Sequence, residues 1–169
     1  GTTQTRSNHR LARARAQRDD VVIEGTAPFR LLRIKPSLAM MSSSSTDDVL
    51  FSRRGSLGHI VLNRPKALNA LTHEMITAIA AQLVEWAEDD AVATVAISGA
   101  GDRGLCAGGD VTQIYQSARA GGEQVARFWA DEYALDLAIS RYPKPYVALM
   151  DGYVLGGGIG VSAHGSVRV

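Results

Sequence analysis

The chain has 169 residues, of which 46% are hydrophobic and 21% are charged, and its formal net charge is +1. This length fits one hydrophobic core, and no apolar run approaches the ~20 residues that a membrane-spanning helix needs. Residues 47–169 carry ten Lys/Arg against fourteen Asp/Glu, which argues against a nucleic-acid groove. The single cysteine, Cys106, excludes an intrachain disulfide and a multi-cysteine metal site, and it fits a reducing compartment such as the cytoplasm.

The first 46 residues show little hydrophobic periodicity and end in a run of serines. We interpret residues 1–46 as a disordered or extraneous N-terminal extension. Their arginines resemble those of a mitochondrial transit peptide until Asp19, Asp20 and Glu24 interrupt the acid-free stretch. Met41, which directly precedes the serines, is more typical of a natural start.

From residue 49 the pattern becomes regular. Two apolar runs, 49–51 and 59–62, flank a Gly-Ser-Leu-Gly turn and predict a β-hairpin. An amphipathic helix follows, with Thr72 as its N-cap and Glu74 in its first turn. Its core-facing residues recur at three- and four-residue steps: Met75, Ile76, Ile79, Ala80, Leu83 and Trp86. We interpret His59 and His73 as surface residues of the strand and the helix.

The middle of the chain predicts a third strand and two helices. The strand covers residues 93–98, and Asp110 then lies where the N-cap of a helix is expected. Gly121 and Gly122 interrupt the helical pattern, which resumes over residues 123–140. The apolar residues predicted to pack from that helix are Val125, Phe128, Trp129, Leu135 and Ile139. The carboxylates predicted on its solvated side, with ordinary pKa values, are Glu123, Asp131, Glu132 and Asp136.

The last part predicts a buried strand at 146–150, a glycine triplet at 156–158, a helix start, and a further strand at 166–169. The order is hairpin, helix, strand, helices, strand, helix. This order predicts an α/β fold with right-handed crossovers.

Two glycine-rich loops suit the binding of negative charge. The loop 104–110 and the triplet 156–158 each follow a predicted strand and precede a predicted helix. The first N–H groups of a helix lack intrahelical partners, and glycine lets a ligand approach them closely. Two such loops can aim two N–H groups at one carbonyl oxygen as it becomes an oxyanion. The alternative is that the triplet marks only a tight turn and close helix–sheet packing.

Three motifs in order resemble the enoyl-CoA hydratase/isomerase (crotonase) superfamily. They are Asn-Arg-Pro-Lys-Ala-Leu-Asn-Ala-Leu at 63–71, Cys-Ala-Gly-Gly-Asp at 106–110, and Lys144-Pro145 through Asp151-Gly152 to the triplet. Segments 128–133, 142–146 and 160–165 are most similar to the 3-hydroxyisobutyryl-CoA hydrolase branch. The resemblance implies that residues 47–169 form the N-terminal part of a crotonase-like spiral of ββα repeats, incomplete at its C-terminus.

The resemblance also implies the roles of individual residues. The backbone N–H groups of Gly109 and Gly157 form the oxyanion hole for a thioester carbonyl. The residues implied to line the CoA groove and the pocket beside it are Lys66, Ala67, Leu68, Ala107, Asp110 and Val111. From its own properties Lys66 is equally a solvated side chain, and Cys106 is a small buried thiol rather than a nucleophile. Coenzyme A is expected only as part of the substrate, with no other cofactor and no metal.

The departures from the family pattern also matter. Hydratases of the superfamily carry a glutamate two residues after the triplet, where this chain has Gly160. The hydrolase branch takes its catalytic glutamate and aspartate from a downstream Pro-Glu…Pro-Asp stretch, which these 169 residues do not contain. The resemblance therefore implies an acyl-CoA thioester hydrolase of valine catabolism, and it implies that this fragment lacks the catalytic carboxylates and is inactive alone.

Several further expectations follow from the resemblance. It implies an acyl-CoA substrate, a homo-oligomer when the chain is complete, and the mitochondrial matrix if the source is eukaryotic. One alternative is an enoyl-CoA hydratase/isomerase of the same superfamily. Another is an NAD-binding oxidoreductase, because residues 158–163 match G-x-G-x-x-A. A third is an inactive truncated chain.

Overall fold

The structure is a computed structural model that describes residues 47–169. The predicted extension at 1–46 lies outside the described residues. The described part forms one five-stranded sheet in the order β1-β2-β3-β4-β5. The strands are β1 (Val49–Arg54), β2 (Leu57–Leu62), β3 (Thr94–Gly99), β4 (Tyr146–Ala148) and β5 (Val167–Arg168). The helices are α1 (His73–Glu88), α2 (Val111–Arg119), α3 (Glu123–Ser140) and α4 (Gly157–Ala163), with a 3-10 turn at Pro65–Ala67.

The predicted hairpin and the helical connections between parallel strands are confirmed. Strand β1 pairs antiparallel with β2, and Gly55 turns between them with φ 60°. The pairs β2–β3, β3–β4 and β4–β5 are all parallel, and every parallel pair is joined through at least one helix. This is the α/β organisation that the order of elements predicted.

Helix α1 packs its apolar stripe on the sheet. Thr72 caps it as predicted, because its Oγ1 accepts from the N–H of Met75 at 3.2 Å. Trp86 lies flat over β2 at Gly58, where a Cβ would be 2.7 Å from the indole Cε3. Glycine at 58 is therefore what lets the indole approach the strand.

Two histidines have more specific contacts than a surface position would give. His73 begins α1, and its Nε2 lies 2.6 Å from Asp131 Oδ2 on α3. The predicted surface position of His73 is therefore wrong in this respect: the side chain is half-buried and joins two helices. His59 lies 2.9 Å from Ser98 Oγ, which links β2 to β3.

The loops that follow β3 and β4 are held together at the carboxyl ends of these parallel strands. Leu105 donates to the carbonyl of Asp151 at 2.8 Å, and Cys106 donates to that of Tyr153 at 3.0 Å. The N–H of Leu155 donates back to the Cys106 carbonyl at 3.0 Å. The carboxyl ends of parallel strands are where open α/β sheets bind ligands, and both glycine-rich loops lie there.

Candidate functional site

A cleft of about 530 Å³ opens between the two glycine loops and helix α3. The first loop contributes Ala107, Gly108 and Gly109, and the second contributes Gly156 and Gly157. Helix α3 contributes Phe128, Trp129, Glu132, Tyr133 and Asp136, and α2 contributes Val111 and Ile114. Trp129 is 44% exposed on the rim, so the prediction that it packs in the core is wrong.

The two loops approach each other backbone to backbone. Gly108 has φ 111° and Gly156 has φ 50°, which favour glycine. A Cβ on Gly108 would lie 3.3 Å from the Leu155 carbonyl oxygen and 3.5 Å from the N of Gly157. A side chain at Gly108 would therefore both strain the loop and separate it from its neighbour.

The N–H groups of Gly109 and Gly157 have no acceptor among the described residues. Their neighbours in sequence do: Asp110 donates to the Leu71 carbonyl at 2.8 Å, and Gly158 donates to the Leu155 carbonyl at 2.8 Å. Gly109 directly precedes the N-cap of α2, and Gly157 is the first residue of α4. Both are backbone donors beside one cleft.

Asp110 caps helix α2, as predicted. Its Oδ1 accepts from the N–H groups of Thr112 at 3.0 Å and Gln113 at 3.3 Å. Its Oδ2 pairs with Arg64 Nη2 at 2.9 Å, while Arg64 Nη1 donates to the Ala70 carbonyl at 2.6 Å. Burial raises the pKa of Asp110, but Arg64 and the two N–H donors outweigh it, so the net pKa lies below its ordinary value. Both carboxylate oxygens are thus committed to structure.

Glu132 lies directly at the α-carbon of Gly157. A Cβ built on Gly157 would collide with Glu132 Oε1, and the residue is only 6% exposed. Among the described residues its carboxylate receives no hydrogen bond. Burial, and then the charge of Asp136, raise its pKa.

Asp136 lies one turn further along α3, opposite Gly160. Burial raises the pKa of its carboxyl to about 6, and the charge of nearby His164 partly offsets this. The expectation that Glu132 and Asp136 are solvated carboxylates with ordinary pKa values is therefore wrong. The physical reason is that α3 packs on α4, whose glycines have no Cβ and leave room for both carboxylates.

Glu132 could have been found in the sequence. The buried residues of α3 are Val125, Phe128, Glu132, Leu135 and Ile139, at alternating steps of three and four. Glu132 thus falls on the apolar stripe, where a charged residue signals a functional site. No such local signal marks Asp136, because its place in the site depends on Gly160, which lies on another helix.

The remaining predicted substrate residues are divided between the cleft and the surface. Ala107 and Val111 line the cleft, and Val111 is 75% exposed. Lys66 and Ala67 lie on the exposed 3-10 turn and are not among the residues that line the cleft. Leu68 is tied to the first loop, because its carbonyl accepts from the N–H of Ala107 at 3.0 Å.

Cys106 is fully buried beneath the first loop, and burial raises the pKa of its thiol to about 11. This agrees with its interpretation as an inert thiol. Gly158 packs on Cys106, and both Gly158 and Gly160 lie inside α4. In a dinucleotide fingerprint the glycines form the strand-to-helix turn instead, so this geometry does not support the oxidoreductase alternative.

Within residues 47–169, no helix is long and apolar enough to cross a membrane. The same part of the chain contains no group of three or more His, Cys, Asp or Glu side chains that could hold a metal ion.

Comparison with known proteins identifies the same family that the sequence motifs resemble. The model of the Enoyl-CoA hydratase/isomerase family matches residues 57–169. The chain is 48% identical over 130 residues to the mitochondrial 3-hydroxyisobutyryl-CoA hydrolase of Danio rerio, with 77% of this chain and 34% of the relative covered. The human enzyme of the same name is 42% identical over 127 residues, with coverage of 75% and 33%.

A solved structure adds the fold. The carnitinyl-CoA dehydratase from Mycobacterium thermoresistibile is 58% identical, with a TM-score of 0.71, and the match covers 72% of this chain and 36% of that one. The chain spans about a third of the length of the curated relatives it matches. Its described part has the crotonase fold, of which it covers a portion. The chain belongs to the enoyl-CoA hydratase/isomerase family.

Proposed function

We propose that the protein containing this chain is an acyl-CoA thioester hydrolase, similar to 3-hydroxyisobutyryl-CoA hydrolase. The observation that carries this is the pair of free N–H groups, on Gly109 and Gly157, beside one cleft. In the proposal both donate to the thioester carbonyl oxygen. The relatives named 3-hydroxyisobutyryl-CoA hydrolase support the choice of reaction.

The chemistry of thioester hydrolysis fits such donors. Attack of water on the carbonyl carbon puts negative charge on the oxygen, and each well-placed donor is worth roughly 3–4 kcal/mol at that stage. The C–S bond then breaks and coenzyme A leaves as the thiol. Water must lose a proton during the attack, so a carboxylate near the carbonyl is also required.

Glu132 is a carboxylate beside the proposed carbonyl site, because its Oε1 lies next to Gly157. Burial, and then the charge of Asp136, raise the pKa of Glu132, which makes it a better proton acceptor than an ordinary carboxylate. The resemblance implies that the hydrolase branch takes its catalytic glutamate and aspartate from a Pro-Glu…Pro-Asp stretch, which these residues do not contain. We propose that Glu132 alone does not replace these two carboxylates, so that the 169 residues bind an acyl-CoA but do not turn it over at an enzymatic rate.

Substrate contacts and surroundings complete the proposal. Lys66, Ala67 and Leu68 line the groove for coenzyme A, and Ala107, Asp110 and Val111 line the pocket. Coenzyme A enters only as part of the substrate, and no other cofactor takes part. The complete protein forms a homo-oligomer and works in the mitochondrial matrix if it is eukaryotic, or in the cytoplasm otherwise.

The test compares two proteins with 3-hydroxyisobutyryl-CoA: the 169-residue chain, and the chain extended to the length of its relatives. Release of free coenzyme A is followed with a chromogenic disulfide. We expect the extended protein to turn over the substrate, and we expect the short chain to release coenzyme A at least a hundredfold more slowly. Turnover of the short chain within tenfold of the long one would show that Glu132 or another residue of this chain suffices.

A second candidate is an enoyl-CoA hydratase of the same family. The observation that favours it is the Asp136 carboxylate beside Gly160, the position at which hydratases of this superfamily carry their glutamate. The similarity to a carnitinyl-CoA dehydratase also supports it. Loss of enoyl absorbance without release of free thiol, after mixing with an enoyl-CoA, would favour the hydratase over the hydrolase.

A further inference from the structure

Asp136 occupies space that exists only because residue 160 is glycine. A Cβ at position 160 would lie 2.6 Å from Asp136 Oδ1, well inside ordinary contact distance. Helices α3 and α4 bring the two residues together at the wall of the cleft. The absence of a side chain at Gly160 on α4 is thus what leaves room for the Asp136 carboxylate.

Asp136 lines the cleft and has an unsatisfied carboxylate oxygen. Asp136 Oδ1 is buried and has no hydrogen-bond partner among the described residues. Glu132, one turn earlier on the same helix, is 6% exposed as a residue. A buried acceptor without a donor is costly, and native proteins generally satisfy such atoms or use them for a ligand.

The spacing along the two helices indicates which part of a ligand would reach Asp136. Glu132 lies at Gly157, and Asp136 lies at Gly160. One helical turn, roughly 5 Å along the axis, separates Glu132 from Asp136 on α3 and Gly157 from Gly160 on α4. If the carbonyl oxygen binds at the Gly157 N–H, a substituent two or three bonds along the acyl chain reaches Asp136.

We propose that Asp136 accepts a hydrogen bond from a hydroxyl group on the acyl chain, and that this contact makes the cleft select hydroxyacyl thioesters over their deoxy analogues. This inference rests on the proposed function, which places the carbonyl at Gly109 and Gly157. It adds a residue that determines specificity, at a distance from the reacting carbon.

The charge state of Asp136 offers a signature of this contact. The charged or titratable groups that face its carboxyl are Glu132 on α3, His164 at the end of α4 and Tyr146 on β4. A hydroxyl donor favours the ionised carboxylate and lowers its pKa, which now stands at about 6. Binding of a hydroxyacyl ligand near pH 6 therefore releases protons, and binding of the deoxy ligand releases fewer.

The test uses the 169-residue chain and two coenzyme A analogues in which a methylene group replaces the sulfur, so that the carbonyl remains but cannot be hydrolysed. One carries the 3-hydroxyisobutyryl group and the other carries the isobutyryl group. Isothermal titration calorimetry at pH 6, in buffers of different ionisation enthalpy, measures both Kd values and the protons released. We expect the parent chain to bind the hydroxyacyl analogue about 10- to 100-fold more tightly, as one hydrogen bond to a charged group provides.

Three variants of the cleft and one control refine the test. Asp136→Ala removes the acceptor, and Gly160→Ala displaces it without changing its charge; both should reduce the preference to within about threefold and abolish the extra proton release. Asp136→Asn keeps one acceptor oxygen, so it should retain part of the preference without the proton signal. Glu123→Ala removes a carboxylate of the same helix that lies outside the cleft, and it should leave both measurements unchanged.

Two results would overturn the inference. Equal affinity of the parent chain for both analogues would show that no hydroxyl is recognised. An equal loss of both affinities in Asp136→Ala and Gly160→Ala, with the preference intact, would make Asp136 a structural residue only. Failure of the parent chain to bind either analogue would instead contradict the proposed function, and the inference would fall with it.

Discussion

Replacing Gly157 by alanine tests the proposed oxyanion donor with the smallest change available. The structure shows what the added methyl would meet: it would collide with Glu132 Oε1 and lie 3.1 Å from Leu71 Cδ1. Leu71 is fully buried and cannot retreat. Because φ at Gly157 is not positive, the cost comes from this collision and not from backbone strain.

The expected magnitude follows from the required shift. If the start of α4 moves by about 1 Å, the Gly157 N–H loses its alignment with the carbonyl oxygen, at a cost of roughly 3–4 kcal/mol or about 10²–10³-fold in kcat. Stability should fall by about 1–3 kcal/mol, as overpacking usually costs. The assay is thioester hydrolysis by the chain extended to the length of its relatives, with thermal unfolding measured in parallel.

Two controls separate the site from a general effect of substituting glycine. Gly55→Asn, at the tip of the hairpin, meets no atom within 4 Å and has φ 60°, which asparagine tolerates. Its turnover should be that of the parent. In a Glu132→Ala background the Gly157→Ala change should cost less than it does alone, because the colliding carboxylate is gone. A folded Gly157→Ala protein with unaltered turnover would refute the reasoning.

Three other outcomes are expected. Asp110→Asn should keep turnover within tenfold, because asparagine caps as well as aspartate. Loss of the ion pair with Arg64 should cost under ~1 kcal/mol of stability. This cost should diminish as the pH falls below about 4, since the native pKa of Asp110 is lowered and the parent loses the same charge there. A thousandfold loss of turnover would instead assign Asp110 a role in the chemistry. Asp136→Asn should raise the stability to urea, relative to the parent, more at pH 7.5 than at pH 4.5. Burial raises the pKa of Asp136 to about 6, so the parent loses the stabilising effect of the protonated carboxyl as the pH rises through 6, and asparagine does not. A difference between variant and parent that does not change with pH would contradict the burial of this charge. Cys106 should resist iodoacetamide at pH 8 in the folded chain, as measured by mass spectrometry, because burial raises its pKa to about 11; rapid alkylation before unfolding would show an accessible thiolate.

The elements with strong local signals could be predicted from the sequence. Helix α3 covers the predicted residues 123–140, because an apolar stripe and the Gly121-Gly122 break define it locally. The caps Thr72 and Asp110 are also confirmed, since capping depends on one side chain and the next few N–H groups. The predicted strand at 146–150 is shorter, at Tyr146–Ala148, because its length depends on pairing with β3 and β5.

The electrostatics of the site could not be predicted in the same way. The raised pKa of Asp136 requires Gly160, which lies on another helix and far along the chain. A helical pattern shows which residues share a face, but it does not show that glycines of a second helix will cover that face. The sequence predicted that the two glycine loops bind negative charge, which stays a prediction, but their closeness depends on the parallel register of β3 and β4.

The central claim is that the N–H groups of Gly109 and Gly157 hold the thioester carbonyl. The most direct measurement is the infrared stretching frequency of a ¹³C-labelled carbonyl in the 3-hydroxyisobutyryl analogue, recorded free and bound to the 169-residue chain. Two donors polarise the C=O bond, so the account predicts a shift to lower frequency on binding, and a smaller shift with Gly157→Ala. A bound carbonyl that absorbs at the frequency of the free ligand would contradict the account.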